Sequence, residues 1–141
     1  MSNSLWQTLL AACRQVWVDP DFNEENFPLE PVAPDEDEWE VHERHFEKKV
    51  FGEKTFRRLE EMGYRLCGPR WAMQYIAEHP DLQLNHPLIA TARWWHPCGF
   101  WCAPIFGGGH VPVFERNLVL LSLARRFGPR GGWLVLRRKQ K

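Results

Sequence analysis

The chain has 141 residues, 18 Lys and Arg against 18 Asp and Glu, 44% hydrophobic and 26% charged residues, and an unusual 8 Trp and 9 Phe. This is the size and balance of one globular domain with a sizeable core and little room for a second. No apolar run approaches the roughly 20 residues that a bilayer crossing needs, and the amino terminus lacks the basic start of a signal peptide. The expectation is therefore a cytoplasmic chain with no membrane partner and reduced thiols at Cys13, Cys67, Cys98 and Cys102.

Residues 1–18 read as an apolar helix from Ser4 to Trp17, capped by Ser4, with Leu5, Leu9, Ala12 and Val16 on one stripe and Trp6, Leu10, Cys13 and Trp17 beside it. Arg14 is its single charge, so the helix needs cover, either from the rest of the chain or from a second copy in a homodimer through Leu5–Trp17. Pro20 ends it. Residues 19–38 hold four prolines, nine acids and no Lys or Arg, which predicts an irregular acidic arm. Its Phe22, Phe27, Leu29 and Val32 need cover, so the arm is expected to lie across its own domain. Presentation to a partner is the competing reading.

Residues 36–51 fit two templates. As a helix, Glu38, His42 and His45 fall at i, i+4 and i+7 and offer one carboxylate and two imidazoles to a divalent metal. As a strand, Trp39, Val41, Glu43 and His45 share one face, and that metal set dissolves. Local signals then predict a helix over Glu53–Met62 ended by Gly63 and a short strand over Tyr64–Cys67. A further helix over Arg70–His79 is opened by Pro69 and stopped by Pro80.

Leu88–Trp95 alternates as a strand, with Leu88, Ala90, Ala92 and Trp94 facing one way and Ile89, Thr91, Arg93 and Trp95 the other. Trp101–Phe106 and Val111–Phe114 are expected to pair as a hairpin across Gly107, Gly108 and Gly109, weakened by Pro104 and Pro112. Arg116–Phe127 is apolar nearly all round and closes with Arg125, Arg126, Gly128 and Pro129, which predicts a buried helix. Gly132–Arg138 reads as a strand covered on both faces. The connection from Phe114 to Gly132 suits a helical crossover between parallel strands. The expected fold class is α+β: a single small domain over residues 1–141, a mixed, mostly antiparallel sheet packed by helices, with residues 39–141 forming the core.

Zero net charge hides an asymmetry. Residues 1–63 carry 15 acids and 7 bases, whereas residues 64–141 carry 3 acids and 11 bases. Such halves either fold onto each other or present faces of opposite sign to partners.

The candidate chemistry gathers in residues 88–114. His96, Cys98, Cys102 and His110 are all zinc-binding types, although Cys-x3-Cys is not a common structural spacing. On a continuous strand the two cysteine Cα atoms stand roughly 13 Å apart. Only a bend at Gly99 gathers them for zinc, for a reversible disulfide or for thiol catalysis with a histidine base; buried, inert thiols are the alternative. A second set is basic and aromatic: Arg65, Arg70, Arg93, Arg116, Arg125, Arg126, Arg130, Arg137, Arg138, Lys139 and Lys141 interleave with Trp94, Trp95 and Trp101. Guanidinium groups clamp phosphates and indoles stack on bases, so single-stranded nucleic acid is a coherent ligand. Against it stand the zero net charge and the lack of a nucleic-acid motif.

No GxSxG, GxxxxGK[ST], GxGxxG or HExxH motif occurs, so nothing directs the reading to a known catalytic class. The leading expectation is a nonenzymatic binding module for a protein or small-molecule partner, with Arg93, Trp94, Trp95, Trp101 and His110 as contact residues. It needs no cofactor, zinc being the alternative. The competing reading makes these aromatics simply core.

Overall fold

A computed structural model of the protein describes residues 4–107 and 116–140. Helix α1 (Leu5–Ala12) opens where the Ser4 hydroxyl accepts the Gln7 N–H at 3.2 Å. It stops well short of Trp17, correcting the longer helix expected. Arg14 takes a left-handed φ of 53°, and Trp17–Val18 form an edge strand, β1, parallel to residues 117–118. A nonlocal pairing has overridden the helical period. Residues 19–35 carry turns but no helix or strand, and Phe22 and Phe27 within them are buried. The Trp6 ring lies 5.2 Å from Phe22, and its indole N–H donates to the Phe27 carbonyl at 2.8 Å.

After a single 3-10 turn at Glu36–Glu38, the chain forms β2 (Trp39–Arg44), the short β3 (Val50–Phe51), α2 (Gly52–Glu61) and β4 (Arg65–Leu66). Helices α3 (Pro69–Glu78) and α4 (Leu82–Asn85) follow, and then β5 (Leu88–Ala90), β6 (Trp94–His96) and β7 (Phe100–Gly107). The end of the described chain is β8 (Asn117–Ser122), β9 (Arg126–Phe127) and β10 (Gly132–Arg138). The class is α+β: an eight-stranded mixed, mostly antiparallel sheet in the order β1-β8-β7-β5-β10-β2, with β6 beside β7, β4 beside β10 and a separate β3–β9 pair. No described helix is long and apolar enough to cross a membrane.

Residues 116–127 are a correction. The expected buried helix is the strand β8, a turn and β9, and with it goes the helical crossover. The leucine run lacks a period because the strand packs apolar side chains on both faces: buried Leu118 and half-buried Leu120 join the core under α1 and α3, while half-buried Val119 and Leu121 pack on the core under α2. The partner of β7 is thus β8 rather than Val111–Phe114, a segment outside the described residues. Strand β10 still has a parallel neighbour, β5, reached through the intervening strands.

The sheet therefore lies between two cores. Trp6, Phe22, Phe27, Met73, Ile76, Leu88, Phe106 and Leu134 fill one; Phe56, Leu59, Ile89, Ile105, Phe127, Trp133 and Val135 fill the other. Strand β10 alternates between them residue by residue, as the two-residue period of a strand requires.

Strands β5 and β6 run along the same edge of β7 but out of step. Ile89 pairs with Ile105 and Trp94 with Cys102, so five steps along one strand answer three along the other and two residues are extruded near Thr91–Arg93. Thr91 anchors the excursion: its hydroxyl accepts the Cys67 N–H at 2.5 Å and donates to the Leu134 carbonyl at 2.8 Å. Pro104 falls in the stretch of β7 that neither β5 nor β6 pairs, so its missing N–H removes no ladder bond there.

Candidate functional site

Strands β6 and β7 form a hairpin closed by the three-residue loop Pro97–Gly99. The Gly99 N–H bonds to the His96 carbonyl at 2.9 Å, and Gly99 has φ +96°, a conformation that glycine reaches without steric penalty. The loop sets the register, so that Trp95 stands opposite Trp101, Trp94 opposite Cys102 and His96 opposite Phe100. Residues directly opposite share a face. The Trp95 and Trp101 rings meet edge to face at 5.1 Å, and the Arg93 guanidinium sits 4.5 Å over the Trp101 ring and 6.0 Å from Phe56. Trp101 packs partly on the second core, whereas Trp95 is 51% exposed. A guanidinium over an indole gains a cation–π contact and still carries N–H groups that can bond an acceptor.

Trp94 turns the other way, half-buried against the first core with its ring 6.3 Å from Phe27. Of the five contact residues expected from the sequence, the structure brings Arg93, Trp95 and Trp101 together and puts Trp94 on the opposite face. His110 lies outside the described residues.

On the same side of the sheet, Ile89, Ile105, Leu121 and Phe127 floor a recess of about 480 Å³ rimmed by Arg125, Arg126 and Arg130. The charge pattern explains why these cations are available. Acids of the segment before and within β2 hold arginines of the carboxyl-terminal half: Asp35 grips Arg65 with both oxygens at 2.8 and 3.0 Å, Glu36 bonds Arg70, Glu38 bonds Arg138 and Glu40 bonds Arg137. Asp81 likewise holds Arg116. The Arg65 pair keeps the Asp35 carboxyl down at about 2. Among the described residues, Arg93, Arg125 and Arg126 form no such pair, and each lies over an aromatic ring, Trp101, Phe127 and Phe51 respectively.

The expected zinc set is not gathered among its described members. The chain does bend at Gly99, yet Cys98 is exposed at the loop with its N–H on His96 Nδ1 at 3.0 Å, and Cys102 is buried with its thiol 3.5 Å from the Trp94 carbonyl. The His96 ring stacks on Phe100 at 4.6 Å. All four cysteines are free. Burial pushes the thiol of Cys13 up to about 12 and that of Cys102 up to about 11, and raises Cys67 as well, which suppresses the thiolate that nucleophilic or redox chemistry requires.

The helical metal set of Glu38, His42 and His45 is also corrected, because β2 is a strand. Glu38 precedes it and holds Arg138, while His42 stacks against Tyr64 on the second face at 5.8 Å. Burial, then Arg137 and Arg44, lower the His42 pKa. What comes together instead is Glu43 of β2, His45 just past the end of that strand and His86 just past the end of α4. These three offer ligand atoms within 4.8 Å of one another.

The chain matches no protein-family model, no curated protein and no solved structure with which it was compared.

Proposed function

We infer that the protein is a nonenzymatic binding module that engages a partner protein through the Trp95–Trp101–Arg93 patch. One observation carries the reading: Trp95 is half exposed, edge-on to a Trp101 that Arg93 covers. Tryptophan and arginine dominate binding hot spots because each removes a large area from water while retaining a directed polar edge. Rigid cross-strand packing lowers the ordering cost of using them. Arg93, Arg125 and Arg126, which pair with no carboxylate among the described residues, favour an acidic partner surface, and the recess under Arg125 and Arg126 suits an apolar side chain at its centre. Arginines already engaged by Asp35, Glu36, Glu38, Glu40 and Asp81 weigh against single-stranded nucleic acid, which requires them for phosphates. Leu5, Val16 and Trp17 are also uncovered, which supports a second copy of the chain as an additional partner at the amino-terminal segment.

The test is capture from an extract of the source cells by immobilised chain, with each retained protein purified and titrated. The wild type is expected to retain a protein that Trp95→Ala and Arg93→Ala lose and that Arg57→Ala, on the exposed side of α2, keeps. Retention indifferent to Trp95→Ala, or retention of nucleic acid alone, contradicts the reading.

A further inference from the structure

Away from the tryptophan patch, the side chains of Glu43, His45 and His86 converge in a different way. Glu43 Oε1 is 2.6 Å from His86 Nε2 and 3.8 Å from His45 Nε2, and the two imidazole rings lie 5.3 Å apart at 58°. Two nitrogens thus approach one oxygen, whereas a simple ion pair needs only one.

The backbone prepares this convergence. On β2, Glu43 alternates with Trp39 and Val41 on the face that carries α3, and His45 lies just past the end of the strand. His86 sits between α4 and Pro87 at the start of β5. The room between them exists because residue 132 is glycine. A Cβ there would stand 2.7 Å from Glu43 Oε1 and 3.2 Å from His45 Cε1, so any other residue would fill the hollow.

The geometry points to a site for a first-row divalent transition metal of the zinc class, ligated by Glu43 Oε1, His45 Nε2 and His86 Nε2. Ligands about 2.0–2.2 Å from a zinc ion stand roughly 3–3.5 Å from each other. The two observed separations bracket that range, so the Glu43–His86 contact must open slightly while the end of the His45 ring, whose side chain is 46% exposed, closes in. Two imidazoles and one carboxylate suit zinc, cobalt and ferrous iron better than calcium or magnesium, which prefer oxygen alone. Three protein ligands with His45 at the surface leave the remaining coordination positions open to solvent.

The site is tested with untagged full-length chain freed of metal by chelation. Titration with Zn²⁺ in a calorimeter is expected to give one equivalent bound, and Co²⁺ is expected to develop visible d–d absorption that Zn²⁺ abolishes. His45→Ala, an exposed change that leaves the fold intact, is expected to weaken Zn²⁺ binding at least about tenfold, with His86→Ala and Glu43→Gln doing the same. His96→Ala and Cys98→Ser, which alter the hairpin, are expected to leave it unchanged. Absence of saturable Zn²⁺ binding overturns the proposal. So does binding that survives His45→Ala, or that falls with His96→Ala or Cys98→Ser.

Discussion

Gly68→Ala tests how firmly the acidic segment is fixed to the rest of the domain. Gly68 is the residue before α3, with φ −75° and ψ −179°, a conformation that alanine adopts without strain. Its surroundings forbid the change. A Cβ at residue 68 would lie 1.6 Å from Glu30 Oε2. The Glu30 carboxylate accepts the Arg70 N–H at 2.5 Å, capping α3 from 40 residues away, while Arg70 Nε donates to the Glu30 carbonyl at 3.2 Å. Alanine therefore expels the carboxylate and uncaps the helix. Loss of a cap costs about 1 kcal/mol and loss of a hydrogen bond to a charged group about 1.5–3 kcal/mol, so roughly 2 kcal/mol is expected. An unfolding entropy of about 2.1 cal/mol/K per residue turns this into a Tm lowered by about 7 °C. In a Glu30→Ala background the collision is gone, and Gly68→Ala should be neutral, or stabilising by up to about 1 kcal/mol through the unfolded chain. Scanning calorimetry of the four proteins in this cycle measures the coupling. An unchanged Tm for Gly68→Ala, or an equal loss in both backgrounds, refutes the reasoning.

Thiol chemistry gives a second expectation: in native protein at pH 8 one cysteine, Cys98, reacts with a maleimide or disulfide reagent, while Cys13, Cys67 and Cys102 react only after unfolding. Peptide mapping of the labelled chain reads this directly, and rapid labelling of Cys102 would contradict it. The Asp35–Arg65 pair sets a third. A carboxyl whose folded pKa is about 2, below its ordinary value, contributes stability that is present above about pH 4 and is lost as pH falls toward 2. Wild type should therefore exceed Asp35→Asn in Tm at pH 6, with the gap closing between pH 4 and pH 2. A gap independent of pH would show that the pair does not behave this way.

The elements that the sequence made legible are those whose signals are local. Pro69 at the first turn marked α3, Gly63 in a left-handed conformation marked the end of α2, and the aliphatic run of β10 marked a strand covered on both sides. Residues 116–127 misled because β8 sets apolar side chains against both cores and so has no polar side from which to read a period, leaving length and terminators to suggest a helix. The end of α1 and the Thr91–Arg93 excursion depend on distant partners, residues 117–118 for the one and Cys67 and Leu134 for the other. The hairpin patch was half legible: Arg93, Trp95 and Trp101 were candidates, but separating Trp95 from Trp94 required the register that Gly99 sets. Glu43 and His45 were visible as neighbours on one face of a strand. Nothing local announced that His86 would join them.

The binding role rests most directly on the indole of Trp95, and the dissociation constant of the captured partner for wild type and Trp95→Ala measures it. A hot-spot tryptophan contributes about 2 kcal/mol or more, so Kd should rise roughly thirtyfold or further. An unchanged Kd, with the variant folded as judged by its Tm, would mean that the exposed indole is not where this protein meets its partner.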